Sequence, residues 1–158
     1  MKSCIVVLIA FAGFGAVASE KKVAEKEVPK AALDAVSHKY PNAKRVGFER
    51  EDTGKSVSYE VKLVDNARKI DVDVSGDGKI LAEEEVIAMT EVPSAVRDAL
   101  AKSPKYGKWT VKKVERVIKD EKTDAPLYEI VVTSDKSKAE VVFAKDGTLV
   151  STENGAGD

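Results

Sequence analysis

The sequence predicts an α+β fold built from two tandem repeats, each a short helix followed by four antiparallel strands (αββββ). Three observations support this. The segment 28–36, which opens Val-Pro, returns as the segment 92–100, 64 residues later. Apolar and polar residues alternate in the segments after each helix, as in strands with one buried face. An Asp-Gly pair, typical of a hairpin turn, stands before the last strand of each repeat, at Asp77-Gly78 and Asp146-Gly147.

The first repeat begins with a helix that opens at Pro29, a residue tolerated in a first helical turn, and ends before Pro41. We expect strands over 45–51, 58–63, 70–75 and 79–86. A helix of about ten residues is too short to be stable alone. It must therefore pack on the apolar face of these strands.

The second repeat follows the same order. Its helix opens at Pro93 and ends at Ser103-Pro104, and we expect strands over 109–119, 127–133, 138–144 and 148–152. The strands of the two repeats can form two sheets or one concave eight-stranded sheet. We expect Leu33, Val36, Val61, Val72, Val96, Ile130, Val141 and Phe143 in the core.

The N-terminal segment has the features of a secretory signal peptide. Lys2 precedes an apolar run over 4–17, and Ala16-Val17-Ala18 fits cleavage before Ser19. The run is short for a membrane span, so we expect a periplasmic or secreted chain without a span; a retained N-terminal anchor is the alternative. The predicted division is a signal peptide over 1–18, a flexible leader over 19–27, repeats over 28–90 and 91–153, and a disordered tail over 154–158.

Composition narrows the classes of function. The single cysteine lies inside the predicted signal peptide, so the mature chain has neither disulfide nor thiolate chemistry. The net charge of −1 at pH 7 does not favour nucleic acid as a partner.

Candidate catalytic residues are few. His38 is the only histidine, and the residue type favours an exposed helix position over a base or ligand. Glu83-Glu84-Glu85 offers carboxylates for acid–base work, but consecutive strand residues point to alternate faces. Trp109 is interpreted as a packing residue rather than a ligand platform. We therefore expect no enzyme and no cofactor.

The sharpest motif is the segment 73–84, which has the spacing of an EF-hand calcium loop. Asp73, Ser75, Asp77 and Glu84 stand at ligand positions, and Gly78 at the turn. Calcium binding is thus an alternative function. However, an EF-hand needs an entering helix, whereas residues 70–74 alternate as a strand does, so a hairpin turn is favoured.

A binding surface is expected on the sheet face that the helices leave uncovered. If helices cover the face with Val61 and Val141, the opposite face carries a charged first repeat and a partly apolar second one. We expect an exposed apolar patch rimmed by charge, suited to a protein partner, with a merely solvated face as the alternative. The predicted binding residues are Glu60, Lys62, Asp71, Asp73, Glu129, Val131, Glu140 and Val142, and Ser58, Thr133 and Ala144 share their face.

The repeated motifs resemble those of the PepSY-like family, also described as beta-lactamase-inhibitor-like. Each copy has a Val-Pro helix start, a Tyr-Glu-[Val/Ile] strand at 59–61 and 128–130, and an apolar strand running into Asp-Gly. The resemblance extends from Val28 to Glu153. It implies an exported bacterial protein of two helix-plus-sheet units that binds or inhibits another exported protein, such as a peptidase.

Overall fold

The computed structural model describes residues 19–119, 125–135 and 137–156; the predicted signal peptide lies outside them. These residues form nine strands and two α-helices. In chain order they are β1 (Ser19–Lys22), α1 (Lys30–Lys39), β2 (Lys44–Asp52), β3 (Val57–Asp65), β4 (Arg68–Ser75), β5 (Ile80–Val86), α2 (Ser94–Lys102), β6 (Thr110–Lys119), β7 (Leu127–Ser134), β8 (Ser137–Ala144) and β9 (Leu149–Ala156). A 3-10 turn precedes each helix, at Glu25–Glu27 and Met89–Glu91. The predicted α+β class is confirmed.

The nine strands form one antiparallel sheet in which spatial order equals chain order. The repeats join where β5 pairs with β6, with Ala82 opposite Lys119 and Glu84 opposite Val117. Of the two arrangements that the sequence allowed, the single sheet is the one adopted, with nine strands rather than eight.

The extra strand lies in the segment predicted to be a flexible leader. Ser19–Lys22 pairs with β2, with Lys22 opposite Glu49, and Val23 donates a backbone hydrogen bond to Phe48 at 3.1 Å. The predicted disordered tail also differs, because β9 continues through residues 154–156, where Asn154 pairs with Ala139. In both cases backbone pairing to a neighbouring strand orders residues whose side chains show no alternation.

Both helices lie on one face of the sheet and close two apolar clusters. Seven of the eight residues expected in the core are buried, and Leu33 is half-buried. In the first repeat α1 buries Ala32 and Val36 against Val61, Ile70 and Val72. In the second, α2 and its approach bury Val92, Val96 and Leu100 against Ile130, Val132, Val141 and Phe143.

The Asp-Gly turns fix each helix to its hairpin. Gly78 has a φ of +92°, and a Cβ built on it would lie 2.8 Å from the carbonyl oxygen of Ala31 in α1. Gly147 repeats this geometry, with a φ of +87° and the Ala95 oxygen at 2.6 Å. Only glycine meets both demands, positive φ and close approach. The recurring Asp-Gly pair is thus a docking turn beneath each helix.

Candidate functional site: the open face of the sheet

The face of the sheet opposite the helices, called the open face here, is lined with charge. Strand alternation and register place its members side by side: Glu49 opposite Glu60, Glu60 opposite Asp73, and Glu115 opposite Glu129. Eleven carboxyls and seven lysines of the described residues belong to it. They are Glu20, Glu49, Glu51, Glu60, Asp71, Asp73, Glu84, Glu115, Glu129, Glu140 and Glu153, with Lys22, Lys44, Lys62, Lys69, Lys113, Lys119 and Lys138.

All eight predicted binding residues lie on the open face, but the expectation of an exposed apolar patch is wrong. Val131 and Val142 are buried, as are Glu129 and Glu140. The cross-strand neighbours of Val131 are Lys113 and Glu140, and Val142 stands opposite Glu129. Side chains directly opposite each other in a sheet lie within contact distance, so long charged residues flank the valines. Whether these eight residues bind a partner stays a prediction.

In the first repeat, Lys62 forms ion pairs with two acidic residues of the open face. The Lys62 ammonium lies 2.6 Å from Glu60 and 3.1 Å from Glu49. Burial alone would lower the pKa of Lys62, but the hydrogen bonds from its ammonium to these carboxylates raise it well above its usual range. Lys62 is therefore a permanent cation, and it forms ion pairs with two carboxylates whose combined charge exceeds its own.

Asp73 and Glu84, nearer the centre of the sheet, are partly protonated near neutral pH because their pKa values are raised. Burial, reinforced by the charge of Glu60, raises the pKa of Asp73 to about 7. Burial, reinforced by the charges of Glu115 and Asp73, raises the pKa of Glu84 to about 8. Both groups titrate near neutral pH, far above ordinary carboxyls.

The second repeat holds the most deeply buried acids. Glu115 and Glu129 are 1% and 0% exposed, and the Lys113 ammonium pairs with Glu115 at 2.6 Å. Neither carboxyl oxygen of Glu129 receives a hydrogen bond from a donor. Burial, followed by the charge of Glu140, raises the pKa of Glu129. Two ionised carboxylates cannot donate to each other, so the Glu129–Glu140 pair is bonded only when one of them carries a proton.

We call Glu84, Glu115, Glu129 and Glu140 the carboxyl cluster. They come from four neighbouring strands, β5 to β8. The sequence singled out Glu129 and Glu140 as binding residues but missed Glu115 and its partner Lys113. The alternation of Lys113, Glu115 and Val117 could have shown that they share a face, but not which strand lies beside them.

The segment with EF-hand spacing is a β-hairpin. Asp73 and Glu84 lie in β4 and β5 on the open face, whereas Ser75 donates a hydrogen bond to Asp77 at the turn. Strand β4 takes the place of the entering helix that an EF-hand requires. Within the described ranges, no three His, Cys, Asp or Glu side chains are placed to hold a metal ion. Calcium binding by Asp73, Ser75, Asp77 and Glu84 stays a prediction.

The remaining candidates have structural partners on the helix side. Glu83 accepts hydrogen bonds from Lys39, at 2.5 Å, and from Tyr40, both at the end of α1. Glu85 pairs with Arg68 and Arg116 and so links the two repeats. Glu83 and Glu85 thus face away from Glu84, as alternation predicts.

Trp109 and His38 both lie where the sequence analysis expected them. Trp109 makes an edge-to-face contact with Tyr106, with centroids 5.3 Å apart, against the second core cluster. His38 is exposed on α1.

A cleft of about 410 Å³ lies at the end of α1, away from the open face, lined in part by Glu25, Ser37, Tyr40 and Arg45. The Arg45 guanidinium lies 2.8 Å from both the Glu25 carboxylate and the Ser37 hydroxyl. Its charge is therefore already compensated within the chain.

Comparison with known proteins identifies relatives of this fold. The family model described as "Putative beta-lactamase-inhibitor-like, PepSY-like" matches residues 16–82 and 57–151. A search of curated proteins finds no match. No helix within the described ranges is both long and apolar enough to cross a membrane.

Solved structures from Bacteroides share the architecture. A "putative periplasmic" protein from Bacteroides eggerthii superposes with a TM-score of 0.70 at 23% identity, over 80% of this chain and 88% of that one. A BLIP-like protein from Bacteroides fragilis gives 0.63 at 24% identity, over 80% and 86%. A DUF2874 family protein from Bacteroides uniformis gives 0.69 at 22% identity, over 80% and 88%. At these identities the likeness shows the fold.

Proposed function

The chain belongs to the PepSY-like family, and we propose that it is a non-enzymatic binding protein of the bacterial envelope that holds an exported protein on its open face. The observation that carries this proposal is the continuity of the open face. Because β5 pairs with β6, one uninterrupted surface runs across both repeats, while both helices pack on the other side.

The charge of the open face selects the chemistry of the partner. Its described residues include eleven carboxyls and seven lysines, and Lys62 and Lys113 are already paired with Glu60 and Glu115. Complementary potentials steer association and exclude wrong partners. A partner surface rich in lysine or arginine therefore fits this face better than an acidic or apolar one.

The absence of an enzymatic role is part of the proposal. Carboxyls that titrate near neutral pH are capable of acid–base chemistry. Here, however, Glu129 is fully buried, and the described cleft lies at α1 rather than beside the carboxyl cluster. The single histidine is exposed on α1, on the other side of the sheet.

The family description supports a finer version of the proposal, in which the partner is an exported hydrolase or peptidase that the chain inhibits. The predicted signal peptide supports a periplasmic or secreted location. It agrees with the "putative periplasmic" description of the Bacteroides eggerthii protein of similar fold.

Site-specific cross-linking tests the choice of surface. A photo-reactive amino acid is placed at Glu51 or Glu153 on the open face and, as matched controls, at Asp34 or Asp98 on the helices. We expect a discrete envelope protein to cross-link from the open-face positions only. The purified partner should then bind about tenfold more weakly to a Glu51→Lys/Glu153→Lys variant, because rim charges act on association.

Two results would overturn the proposal. Cross-links that form only from Asp34 or Asp98 would move the interface to the helices. A purified partner that binds the charge-reversed variant as well as wild type would show that the acidic face is not what it recognises.

A further inference from the structure

We propose that the carboxyl cluster of Glu84, Glu115, Glu129 and Glu140 receives a lysine ammonium group of the partner and releases protons to solvent as it does so. This inference rests on the proposed function, because it takes the open face as the docking surface. It adds the chemical group that is recognised and the pH dependence of recognition.

The register of the sheet places four acidic residues from four adjacent strands next to one another. Glu115 stands directly opposite Glu129 across β6 and β7. Glu129 is opposite Val142 and Glu140 opposite Val131, so the two acids are diagonal neighbours on β7 and β8. Glu84 is opposite Val117, which places it diagonal to Glu115. Diagonal neighbours on one face lie about 7–8 Å apart at their backbones, within reach of glutamate side chains.

Unsatisfied oxygens show that the cluster lacks a donor. Glu129 is 0% exposed, and neither of its carboxyl oxygens receives a hydrogen bond. Glu115, 1% exposed, has one oxygen bonded to Lys113 and the other without a donor. Buried polar atoms in proteins are nearly always paired. When all four carboxyls are ionised, three buried acceptor atoms of the cluster have no donor, and this points to a donor-rich, cationic ligand.

The charges that face the cluster leave room for a further cation. Lys113 pairs with Glu115, and Lys119 interacts with Glu84 and Glu129. Asp71 and Asp73 add negative charge from β4, while Glu153 and Lys138 face Glu140. With Lys62 and Glu60 of β3, four lysines thus face eight carboxyls. Such an excess of buried acid is compatible with burial only if protons supply part of the missing positive charge. Accordingly, burial raises the pKa of Glu84 to about 8.

A lysine ammonium matches this arrangement better than the other common cations. It is a compact charge with three donors that can reach carboxyls on different strands, whereas the planar guanidinium of arginine favours one carboxylate. The described residues show no group of three ligands placed for a metal ion. Glu84 is half-buried, whereas Glu115, Glu129 and Glu140 are buried, so Glu84 is the carboxyl of the cluster that solvent reaches most easily.

The proton balance of docking is simple. Before docking, the Glu129–Glu140 pair is joined through a proton that one carboxyl carries. When the ammonium enters, its N–H groups donate to the same oxygens, and the carboxyl proton leaves to water or buffer. No covalent bond is made or broken other than O–H ionisation. Binding should therefore strengthen by up to about tenfold per pH unit for each proton released.

Calorimetry with a defined probe tests the inference directly. Hexalysine is titrated into the mature protein at low salt, in two buffers of different ionisation enthalpy, between pH 6 and pH 8. Hexalysine with acetylated side chains is the uncharged control. We expect hexalysine, but not the acetylated peptide, to bind with release of protons and to bind more tightly at pH 8.

Matched variants then separate the cluster from general attraction to acid. Glu129→Gln/Glu140→Gln should abolish the proton release and weaken hexalysine binding about tenfold or more at pH 8. Asp98→Asn, at an exposed acid of α2 on the other side of the sheet, should change neither by more than about twofold. Circular dichroism confirms that each variant is folded, and Glu84→Gln serves as a second cluster variant if the double variant is not.

The outcomes distinguish this inference from the proposed function. A cross-linked partner on the open face whose binding is independent of pH and of Glu129 would sink the inference and leave the proposed function standing. Failure of hexalysine to bind, or binding without proton release, would also overturn it. Calcium chloride that binds where hexalysine does not, with loss in Glu129→Gln, would replace the ammonium site with a metal site.

Discussion

At the scale of single residues, Glu129 is the most informative side chain. It is fully buried on a sheet face that no helix covers, and its carboxyl oxygens have no donor. Leaving a buried polar group unpaired costs about 1–3 kcal/mol. A donor supplied by a partner, as proposed above, would remove this cost. Substitutions of Glu129 can therefore be used to test both the pH dependence of folding stability and the binding of a partner.

The raised pKa values of the carboxyl cluster predict that stability falls as pH rises. Burial raises the pKa of Glu129 and of Glu84, so the folded state binds more protons than the unfolded state. Stability is then fully present below the unfolded pKa of about 4.3 and is lost as pH rises through the folded values. We expect urea unfolding of wild type to require clearly less denaturant at pH 9 than at pH 5.

The variant Glu129→Gln checks the source of that loss. The neutral amide removes one titrating group, so the decline in unfolding free energy between pH 5 and pH 9 should shrink by about 1–3 kcal/mol. Asp98→Asn, at an exposed position of α2 on the other side of the sheet, should decline as wild type does. An unchanged decline in Glu129→Gln would show that the cluster is not titrating in this range.

At the scale of elements, the proline boundaries predicted both helices, and alternation predicted eight of the nine strands. It missed β1 because Ser19–Lys22 is polar throughout and is ordered only by pairing with β2. The same alternation placed all eight candidate residues on the open face. It could not show that Val131 and Val142 are buried, because burial depends on the register of neighbouring strands. Nor could it link Glu115 to Glu129, which requires knowing that β6 lies beside β7.

The docking turns provide a prediction at this scale. Gly78→Ala and Gly147→Ala combine a positive φ with a Cβ that would meet a helix carbonyl oxygen at 2.8 Å or 2.6 Å. We expect each to lower the unfolding free energy by about 2–4 kcal/mol, measured by urea denaturation.

Gly54→Ala is the matched control for the docking turns. Gly54 has a φ of +74°, but nothing lies within 4 Å of a Cβ built on it. Gly54→Ala should therefore lower the unfolding free energy only by the cost of backbone strain, about 1 kcal/mol. Equal losses at Gly54 and Gly78 would show that helix docking contributes nothing beyond backbone strain.

At the scale of the whole molecule, the join between β5 and β6 turns two repeats into one sheet. Backbone pairing runs from Ala82–Lys119 to Val86–Glu115, and Glu85 pairs with Arg68 and Arg116 across the same boundary. Each repeat nevertheless has its own apolar cluster beneath its own helix. Whether the repeats unfold together depends on which of these two features dominates.

We expect the chain to unfold as one cooperative unit, because separating the repeats would expose the β5 and β6 edges and break the Glu85 ion pairs. Trp109, the only tryptophan, reports on the second repeat, while far-ultraviolet circular dichroism reports on the whole sheet.

One core valine in each repeat provides the test: Val72 lies in the first core and Val141 in the second, and both are 0% exposed. The variants are Val72→Ala and Val141→Ala. Each should lower the unfolding free energy by roughly 2 kcal/mol and shift both signals equally. A Val72→Ala variant that leaves the Trp109 transition in place while the dichroism becomes biphasic would show that the repeats unfold separately, and that the open face is a junction of two domains.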